Sequence, residues 1–269
     1  MTRTALIAGR GALPMALVAA MDTAPLICAL DGFPPDSLPV DQVFRIERLA
    51  IFLDWLVDQQ VTRVVFAGAV QRPRLDPSLM DPMSAQILPR IMAAFQAGDD
   101  ATLRAIIGIF EEAGLAVVGV ADIAAALVPG PGLVAGQMTA TDARDATRAA
   151  LIVAALGGVD VGQGAVVQQG LCLGVEVLAG SDAMLDGVAG LVPTLRPDPA
   201  RGRGVFYKAP KPGQDHRIDL PTLGVHSVER AAAAGLAGIV WQAGGVICLD
   251  LPAMIRCADG AGLFLWARP

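Results

Sequence analysis

Short apolar runs alternate with longer stretches of helical periodicity in the first 120 residues, and this alternation limits the possible folds more than any other feature. The runs that predict strands are residues 5–8, 25–30, 63–67 and 116–120. Apolar side chains recur at helical spacing in residues 49–59, 83–97 and 99–113. Strands separated by helices of this length build a largely parallel sheet covered by helices. The sequence therefore predicts an α/β fold that begins with a Rossmann-like domain.

A passage rich in proline and glycine, residues 128–133, interrupts this alternation. Such composition is typical of a connection between structural units, and 269 residues are enough for two domains. We predict an N-terminal Rossmann-like domain over residues 1–132 and a C-terminal mixed α/β domain over residues 133–269. In the second domain the pattern predicts hairpins that join 165–168 to 171–177 and 238–242 to 246–249, among helices and further strands.

The charge and the rare residue types exclude several functions. The net charge of −6 argues against nucleic-acid binding, because a polyanion is repelled. Two histidines, His216 and His226, are too few for a histidine-rich zinc site, and neither receives a role. The cysteines lack C-x-x-C spacing and lie in apolar surroundings, which predicts reduced, buried thiols. They are Cys28, Cys172, Cys248 and Cys257.

One stretch approaches the length of a membrane-spanning helix. Residues 231–249 carry no charge over 19 positions, but glycines divide them into shorter elements, so a buried core is the better interpretation. The N-terminus enters a predicted strand at once and lacks the layout of a signal peptide. We therefore expect a cytoplasmic protein, and the absence of a basic amphipathic helix limits any membrane contact to a peripheral one.

Three turns of the first domain are candidates for ligand binding. Gly9 and Gly11 follow the first strand, where backbone N–H groups could approach a phosphate, although Pro14 breaks the dinucleotide pattern G-x-G-x-x-G. Gly68, Gln71 and Arg72 follow the strand at 63–67, and ligands bind beyond the carboxyl ends of such strands. Asp100 opens a predicted helix. A tight turn, a surface loop and a helix cap remain the alternatives.

Residues 208–221, with the sequence KAPKPGQDHRIDLP, concentrate the charged chemistry of the chain. The protein has only two lysines, Lys208 and Lys211, and both lie here. The other polar candidates of this segment are Gln214, Asp215, Arg217 and Asp219. Cations stabilise the charge that develops on phosphate oxygens, and aspartates suit Mg²⁺ or can orient a water. The alternative is a solvated loop whose charges screen one another. The concentration of the lysines favours a phosphate site.

Two further segments, residues 159–164 and 180–184, place polar groups at the ends of apolar elements. They contain Gln163, Ser181 and Asp182. Ordinary turn chemistry explains them equally well unless they approach the lysine-bearing segment in space.

Several of these motifs together resemble one family, in the same order along nearly the whole chain. They are residues 7–14 (IAGRGALP), 67–73 (AGAVQRP), 98–100 (GDD), 160–163 (DVGQ), 180–185 (GSDAML), 208–215 (KAPKPGQD), 217–224 (RIDLPTLG) and 233–239 (AAGLAGI). The set resembles the LpxI-type UDP-2,3-diacylglucosamine pyrophosphatases of lipid A biosynthesis. The pattern K-x-P-K-P-G-Q-D-x-R-x-D-L-P is the most specific of these motifs.

The resemblance implies a reaction and a place for it. A Mg²⁺-dependent hydrolase would convert UDP-2,3-diacylglucosamine to UMP and 2,3-diacylglucosamine 1-phosphate (lipid X), by attack of water on the α-phosphate. The enzyme would act at the cytoplasmic face of a Gram-negative inner membrane, as a peripheral protein. The sequence does not fix the oligomeric state, and a homodimer is compatible with it.

The resemblance also implies roles for individual residues. Asp219 would bind metal or orient water, with Asp215 as a second metal ligand. The residues expected around the pyrophosphate are Lys208, Lys211, Gln214 and Asp215. The nucleotide contacts would be Gly9, Gly11, Gly68, Gln71 and Arg72. Further substrate contacts would come from Asp100, Gln163, Ser181, Asp182 and Arg217.

Two positions depart from the family pattern. Ala179 stands where we expect a glutamate, and Gln242 stands where we expect an acidic residue. If either carboxylate binds metal in relatives, this chain must use other ligands. Two other functions stay open at this point. One is a different nucleotide-sugar enzyme, such as a transferase or an epimerase, and the other is a nucleotide- or lipid-binding module without turnover.

Overall fold

A computed structural model describes residues 3–71, 73–96 and 98–269. The chain divides into two compact units. The first consists of Met1–Ala125 together with Asp215–Asp219, and the second consists of Ala126–Gln214 and Leu220–Pro269. Both units are built of strands and helices, which confirms the predicted α/β fold class.

The first unit contains a parallel sheet. Its elements, in chain order, are β1 (Arg3–Ala8), α1 (Leu13–Ala20), β2 (Leu26–Leu30), β3 (Gln42–Phe44), α2 (Leu49–Asp58), β4 (Val61–Ala67), α3 (Ser84–Gln96), α4 (Asp99–Glu112), β5 (Ala116–Val118) and α5 (Val120–Ile123). Among the described residues, five strands pair in the order β3-β2-β1-β4-β5, all parallel. This Rossmann-like order brings the carboxyl ends of the strands to one edge.

The core of the first unit explains why these elements form. Residues 4–8 of β1 are buried, as is usual for strands covered on both faces. Phe52, Leu56 and Phe110 from α2 and α4 pack in one apolar cluster with Ile7 and Val64 of the sheet. This apolar burial holds the carboxyl edge of the sheet in place.

The second unit contains a mixed sheet. Its elements are β6 (Gly132–Ala135), α6 (Ala140–Gly157), β7 (Gly164–Gln168), β8 (Leu171–Val175), α7 (Gly180–Ala189), β9 (Val205–Lys208), β10 (Thr222–Leu223), α8 (Val225–Ala233), β11 (Gly238–Gln242), β12 (Ile247–Cys248), α9 (Leu251–Ala261) and β13 (Phe264–Arg268). In the described part of the chain, six strands pair in the order β6-β13-β11-β9-β7-β8, and β10 pairs with β12.

Helices cover both faces of this mixed sheet. On one face, Ala146, Ala149 and Val153 of α6 pack against β7, β9 and β11. On the other face, α7, α8 and α9 pack around Phe206 and Trp241, which are fully buried. Helix α6 begins at a capping box, because the Thr139 hydroxyl accepts the backbone N–H of Asp142 while the Asp142 carboxylate accepts the backbone N–H of Thr139.

Two sequence predictions are wrong in this unit. Strand β11 does not form a hairpin with β12, since it lies between β9 and β13 and is parallel to both. Strand β12 pairs with β10 instead. The cysteines are free, but Cys172 is exposed on β8, an edge strand, and Cys257 is only partly buried. The hairpin between β7 and β8 is confirmed.

Candidate active site

Two glycine turns of the first unit pack backbone against backbone at the carboxyl edge of the parallel sheet. The backbone N–H of Arg10 donates to the carbonyl of Ala69 (3.0 Å), and the N–H of Ala69 donates back to Arg10 (2.9 Å). A Cβ on Gly9 would lie 2.6 Å from the Ala69 oxygen. Gly68 has φ +93°, and its Cβ would lie 2.6 Å from the Gly9 carbonyl carbon. Glycine is therefore required at both positions so that the turns can touch.

The backbone N–H of Gly11 already receives an anionic group. It donates to a carboxylate oxygen of Asp36 at 2.7 Å. This turn precedes α1, so it lies where an N-terminal helix end favours negative charge. The structure thus brings Gly9, Gly11 and Gly68 to one edge. Arg72 and the side chain of Asp100 lie outside the described residues.

A cavity of ≈ 360 Å³ lies at the same edge of the first unit. Its lining residues are Leu30, Asp31, Phe33, Arg45, Ile46, Glu47, Gln71, Pro73 and Arg74. Of these, only Gln71 is predicted from the sequence. Asp31 follows β2 and Arg45 follows β3, so their positions at strand ends are the signal that could have found them.

An ionic cluster forms one wall of this cavity. Arg45 pairs with Asp31 and lies 3.4 Å from Glu47, a buried carboxylate. Burial disfavours the charged form of Glu47, but the backbone N–H of Asp76 and the guanidinium of Arg45 outweigh it and lower the Glu47 pKa. The cluster therefore presents a fixed pattern of charge at the carboxyl ends of β2 and β3.

In the second unit, Lys208 lies in a buried polar cluster at the carboxyl end of β9. Its side chain is 9% exposed, and Nζ donates to Glu176 Oε2 at 3.0 Å and to the Ser181 hydroxyl. The Ser181 hydroxyl donates to the same Glu176 oxygen at 2.6 Å. Ser181 is held by the first turn of α7, and Glu176 directly follows β8. Two of the three groups, Lys208 and Ser181, are predicted from the sequence.

Glu176 is the member that sequence reasoning missed. It lies three residues before Ala179, the position where the family pattern predicts a glutamate, and it supplies a carboxylate to the cluster. A usable signal exists in the sequence, because Glu176 is the only glutamate between Glu112 and Glu229. An isolated acidic side chain next to an apolar strand is a candidate partner for a rare lysine.

The second lysine belongs to a neighbouring set of contacts in the same unit. Lys211 Nζ lies 2.5 Å from the Asp160 carboxylate. The Gln214 side-chain oxygen accepts from the Gln163 amide (2.9 Å) and from the backbone N–H of Lys211 (2.8 Å). The structure therefore brings Gln163 next to Lys211 and Gln214, a proximity that the sequence left open, and Asp160 is an addition.

Asp182 faces a different part of the second unit. Its carboxylate lies 3.6 Å from Arg230 Nε and 3.7 Å from His226 Nε2, both on α8. Its side chain is exposed. Asp182 thus follows Ser181 in the first turn of α7 but points toward α8.

The aspartates of the lysine-bearing segment belong to the first unit. Asp215 accepts from the Arg217 backbone N–H (3.0 Å), from Nε (3.0 Å) and from Nη2 (2.7 Å). Arg217 also donates to Glu111 at 2.7 Å, and Ile218 packs on the apolar core of this unit. The side-chain hydrogen bond from Arg217 is the main cause that lowers the Asp215 pKa. Asp219, which is partly buried, ends this stretch.

Comparison with known proteins agrees with the motif pattern. A family model described as the LpxI N-terminal domain matches residues 3–127, and one described as the LpxI C-terminal domain matches residues 131–266. The chain is 36% identical, over an alignment 277 positions long, to the UDP-2,3-diacylglucosamine pyrophosphatase LpxI of Caulobacter vibrioides. That alignment covers 98% of this chain and 97% of the relative. The chain therefore belongs to the LpxI family.

Proposed function

We propose that this protein hydrolyses the pyrophosphate bond of UDP-2,3-diacylglucosamine in lipid A biosynthesis. Water would attack the α-phosphate, the bridging oxygen would leave with the β-phosphate, and the products would be UMP and 2,3-diacylglucosamine 1-phosphate. The observation that carries the proposal is Lys208, a buried cation at the carboxyl end of β9 with Lys211 three residues away. The identity to the Caulobacter pyrophosphatase over nearly the whole length supports the choice of substrate.

The lysines would act on the pyrophosphate group. Glu176 and Ser181 hold the Lys208 ammonium in one place, and Asp160 does the same for Lys211. Fixed cations stabilise charge that develops in a transition state without a cost of reorganisation. Gln214, fixed by Gln163, would contact the same phosphates.

The first unit would contribute the nucleotide contacts. Gly9, Gly11 and Gly68 remain predicted nucleotide contacts, and Gln71 would bind the uridine from the wall of the cavity. Arg72 and Asp100 remain predicted substrate contacts, as do Ser181, Asp182 and Arg217.

Magnesium is part of the proposal. Among the side chains that the structure describes, which exclude those of Asp99 and Asp100, no group of three or more His, Cys, Asp or Glu could hold a metal ion by itself. Mg²⁺ often binds through one or two carboxylates plus substrate phosphate, so a single five-residue stretch that carries Asp215 and Asp219 fits this ion. Asp219 is the principal ligand that the family resemblance implies, and Arg217 hydrogen-bonds to both oxygens of Asp215. When bound, the ion would supply charge neutralisation on the phosphates.

Turnover of Asp219→Ala tests the assignment. We expect UMP release to stop with EDTA and to fall about 10²–10⁴-fold in the variant, the range for loss of a group that acts on the reacting water. Asp259→Ala, which removes an exposed aspartate of α9, is the matched control. Near wild-type turnover by a folded Asp219→Ala protein would contradict the role of Asp219.

Hydrolysis in ¹⁸O-labelled water locates the bond that breaks. The label should appear in UMP, because the attacking oxygen bonds to the α-phosphorus. Label in the sugar phosphate would indicate attack on the β-phosphorus. Transfer of the sugar to an acceptor would select a transferase, an altered sugar still bound to UDP would select an epimerase, and tight binding without turnover at any Mg²⁺ concentration would select a binding module.

The place of action is also a proposal. No helix within the described ranges has the length and apolar character needed to cross a membrane. A diacylated substrate resides in a bilayer, so we expect the protein to work in the cytoplasm at the inner membrane of a Gram-negative cell, through peripheral contact. Homodimer formation remains a prediction.

A further inference from the structure

Two adjacent loops of the second unit each expose apolar side chains. Residues 159–163 lead into β7, and residues 177–179 follow β8. Because β7 and β8 are antiparallel neighbours, both loops lie at the same end of the pair. They are in contact, since a Cβ placed on Gly162 would lie 2.0 Å from the carbonyl oxygen of Glu176.

The exposed side chains of these loops are large and apolar. Leu178 is fully exposed, and Val159 is 71% exposed. Val161 and Val177 are also exposed. We call these four residues the apolar edge. Contiguous apolar surface on a folded protein marks an interaction site more often than scattered exposed side chains do.

The apolar edge adjoins the lysine cluster, by which we mean Lys208 and Lys211 with their carboxylate partners Glu176 and Asp160. Gly164 of β7 pairs with Lys208 of β9, so Lys208 lies at the same end of the sheet as both loops. Asp160, the partner of Lys211, stands between Val159 and Val161 in the chain. Glu176, the partner of Lys208, directly precedes Val177. Fixed cations therefore lie next to exposed apolar side chains. This arrangement complements an amphiphile that carries a phosphate group and acyl chains.

We propose that the apolar edge inserts into the acyl-chain boundary of a lipid bilayer and so brings the lysine cluster to the membrane surface. The inference rests on the proposed function, because it gives that function's substrate a route from the bilayer. Insertion strength scales with the apolar area buried, together with any attraction to anionic lipid. The net charge of −6 makes that attraction a poor driving force, so binding should depend little on salt.

Partition of the 269-residue chain onto vesicles of zwitterionic phosphatidylcholine, without substrate, tests the proposal. Flotation in 0.1 M and 0.5 M NaCl should give similar binding for the wild type. Leu178→Asp should lower the partition coefficient at least about tenfold, since burial of one leucine is worth roughly that factor or more. Val159→Asp should act in the same direction. The matched control is Leu171→Asp, which alters an exposed leucine at the opposite end of the same hairpin and should leave binding unchanged.

Three outcomes would overturn the proposal. One is that the wild type fails to bind the vesicles, and another is that Leu178→Asp, with an unchanged circular dichroism spectrum, binds as the wild type does. The third is that Leu178→Asp converts a dimer to a monomer without loss of vesicle binding, which would make the apolar edge a contact between two copies.

Failure of the proposed function gives a different pattern. A protein that binds vesicles through Leu178 but releases no UMP would refute the hydrolase alone. A protein that releases UMP while its Leu178→Asp variant partitions normally would refute this inference alone.

Discussion

Glu176→Gln should destabilise the second unit far more than removal of an exposed charge. The side chains of Lys208 and Glu176 are only 9% and 12% exposed, and Nζ lies 3.0 Å from Oε2. At an effective dielectric constant of about 20, charges at that separation attract by roughly 5–6 kcal/mol. Removal of one partner from a buried pair costs about 3–5 kcal/mol, because the other charge stays buried without compensation. Glutamine keeps an accepting oxygen, so we expect a loss of about 3 kcal/mol.

Urea unfolding followed by tryptophan fluorescence measures this loss. Trp241 is fully buried in the core of the same unit and reports on it. With a slope of about 2 kcal/mol per molar urea, the midpoint should fall by about 1.5 M. Asp160→Asn is the matched control. It neutralises the 50% exposed partner of Lys211, and its φ of +58° suits asparagine. We expect the control to cost about 0–1 kcal/mol.

A double replacement separates stability from chemistry. Lys208→Met combined with Glu176→Leu substitutes apolar side chains of similar size for both charges, and such replacements are often neutral or stabilising. The double variant should therefore recover most of the stability that Glu176→Gln loses. It should not release UMP, because the Lys208 ammonium is gone. If Glu176→Gln costs no more than Asp160→Asn, the reasoning from burial is wrong.

The remaining predictions concern titration and thiol reactivity. Arg217 holds the Asp215 pKa below its ordinary value of 3.8, so the stability gained from this pair is present above that pH and is lost as the pH falls through the lowered pKa. The difference in unfolding free energy between wild type and Arg217→Met should thus narrow below pH 4, and a difference that is constant from pH 7 to pH 3 would contradict it. Burial raises the pKa of Cys28 and of Cys248 to about 12. A thiol reagent at pH 8 should therefore label the exposed Cys172 at once, and Cys28 and Cys248 only after unfolding. Mass spectrometry of the labelled protein measures this order.

The parallel sheet of the first unit is visible in the sequence because its strands are buried on both faces and read as continuous apolar runs. Strand β3 does not form such an apolar run in the sequence, since it has three residues and only Phe44 is buried. The hairpin predicted for β11 and β12 is wrong. The prediction rested on the closeness of these strands in the chain, whereas each pairs with other strands. The parallel neighbours of β11 are β9 and β13, which lie about 25–35 residues away in the chain. A local sequence pattern does not reveal pairing over that distance.

The site is predictable where rare residues mark it and not where tertiary contacts decide it. Lys208 and Lys211 stand out as the only lysines, and the structure holds each by a carboxylate. The isolated position of Glu176 in the sequence marks it as a candidate, but its pairing with Lys208, like that of Asp160 with Lys211, depends on the pairing of β7 with β8 and β9. The assignment of Asp215–Asp219 to the first unit was equally hidden, since it depends on where Ile218 is buried.

The assignment of Asp215–Asp219 to the first unit has a consequence for how the two halves of the chain can be recombined. A fragment that ends at residue 127, where the match to the N-terminal family model stops, lacks five residues of its own fold. Glu111 would lose Arg217, and the core would lose the cover of Ile218. The N-terminal and C-terminal halves of the sequence therefore cannot be exchanged independently between homologues. A chimaera that joins residues 1–127 of one homologue to the remainder of another receives residues 215–219 from the second homologue. Glu111 and Gly119 must fit that segment, since a Cβ placed on Gly119 would lie only 3.2 Å from the Arg217 Cα.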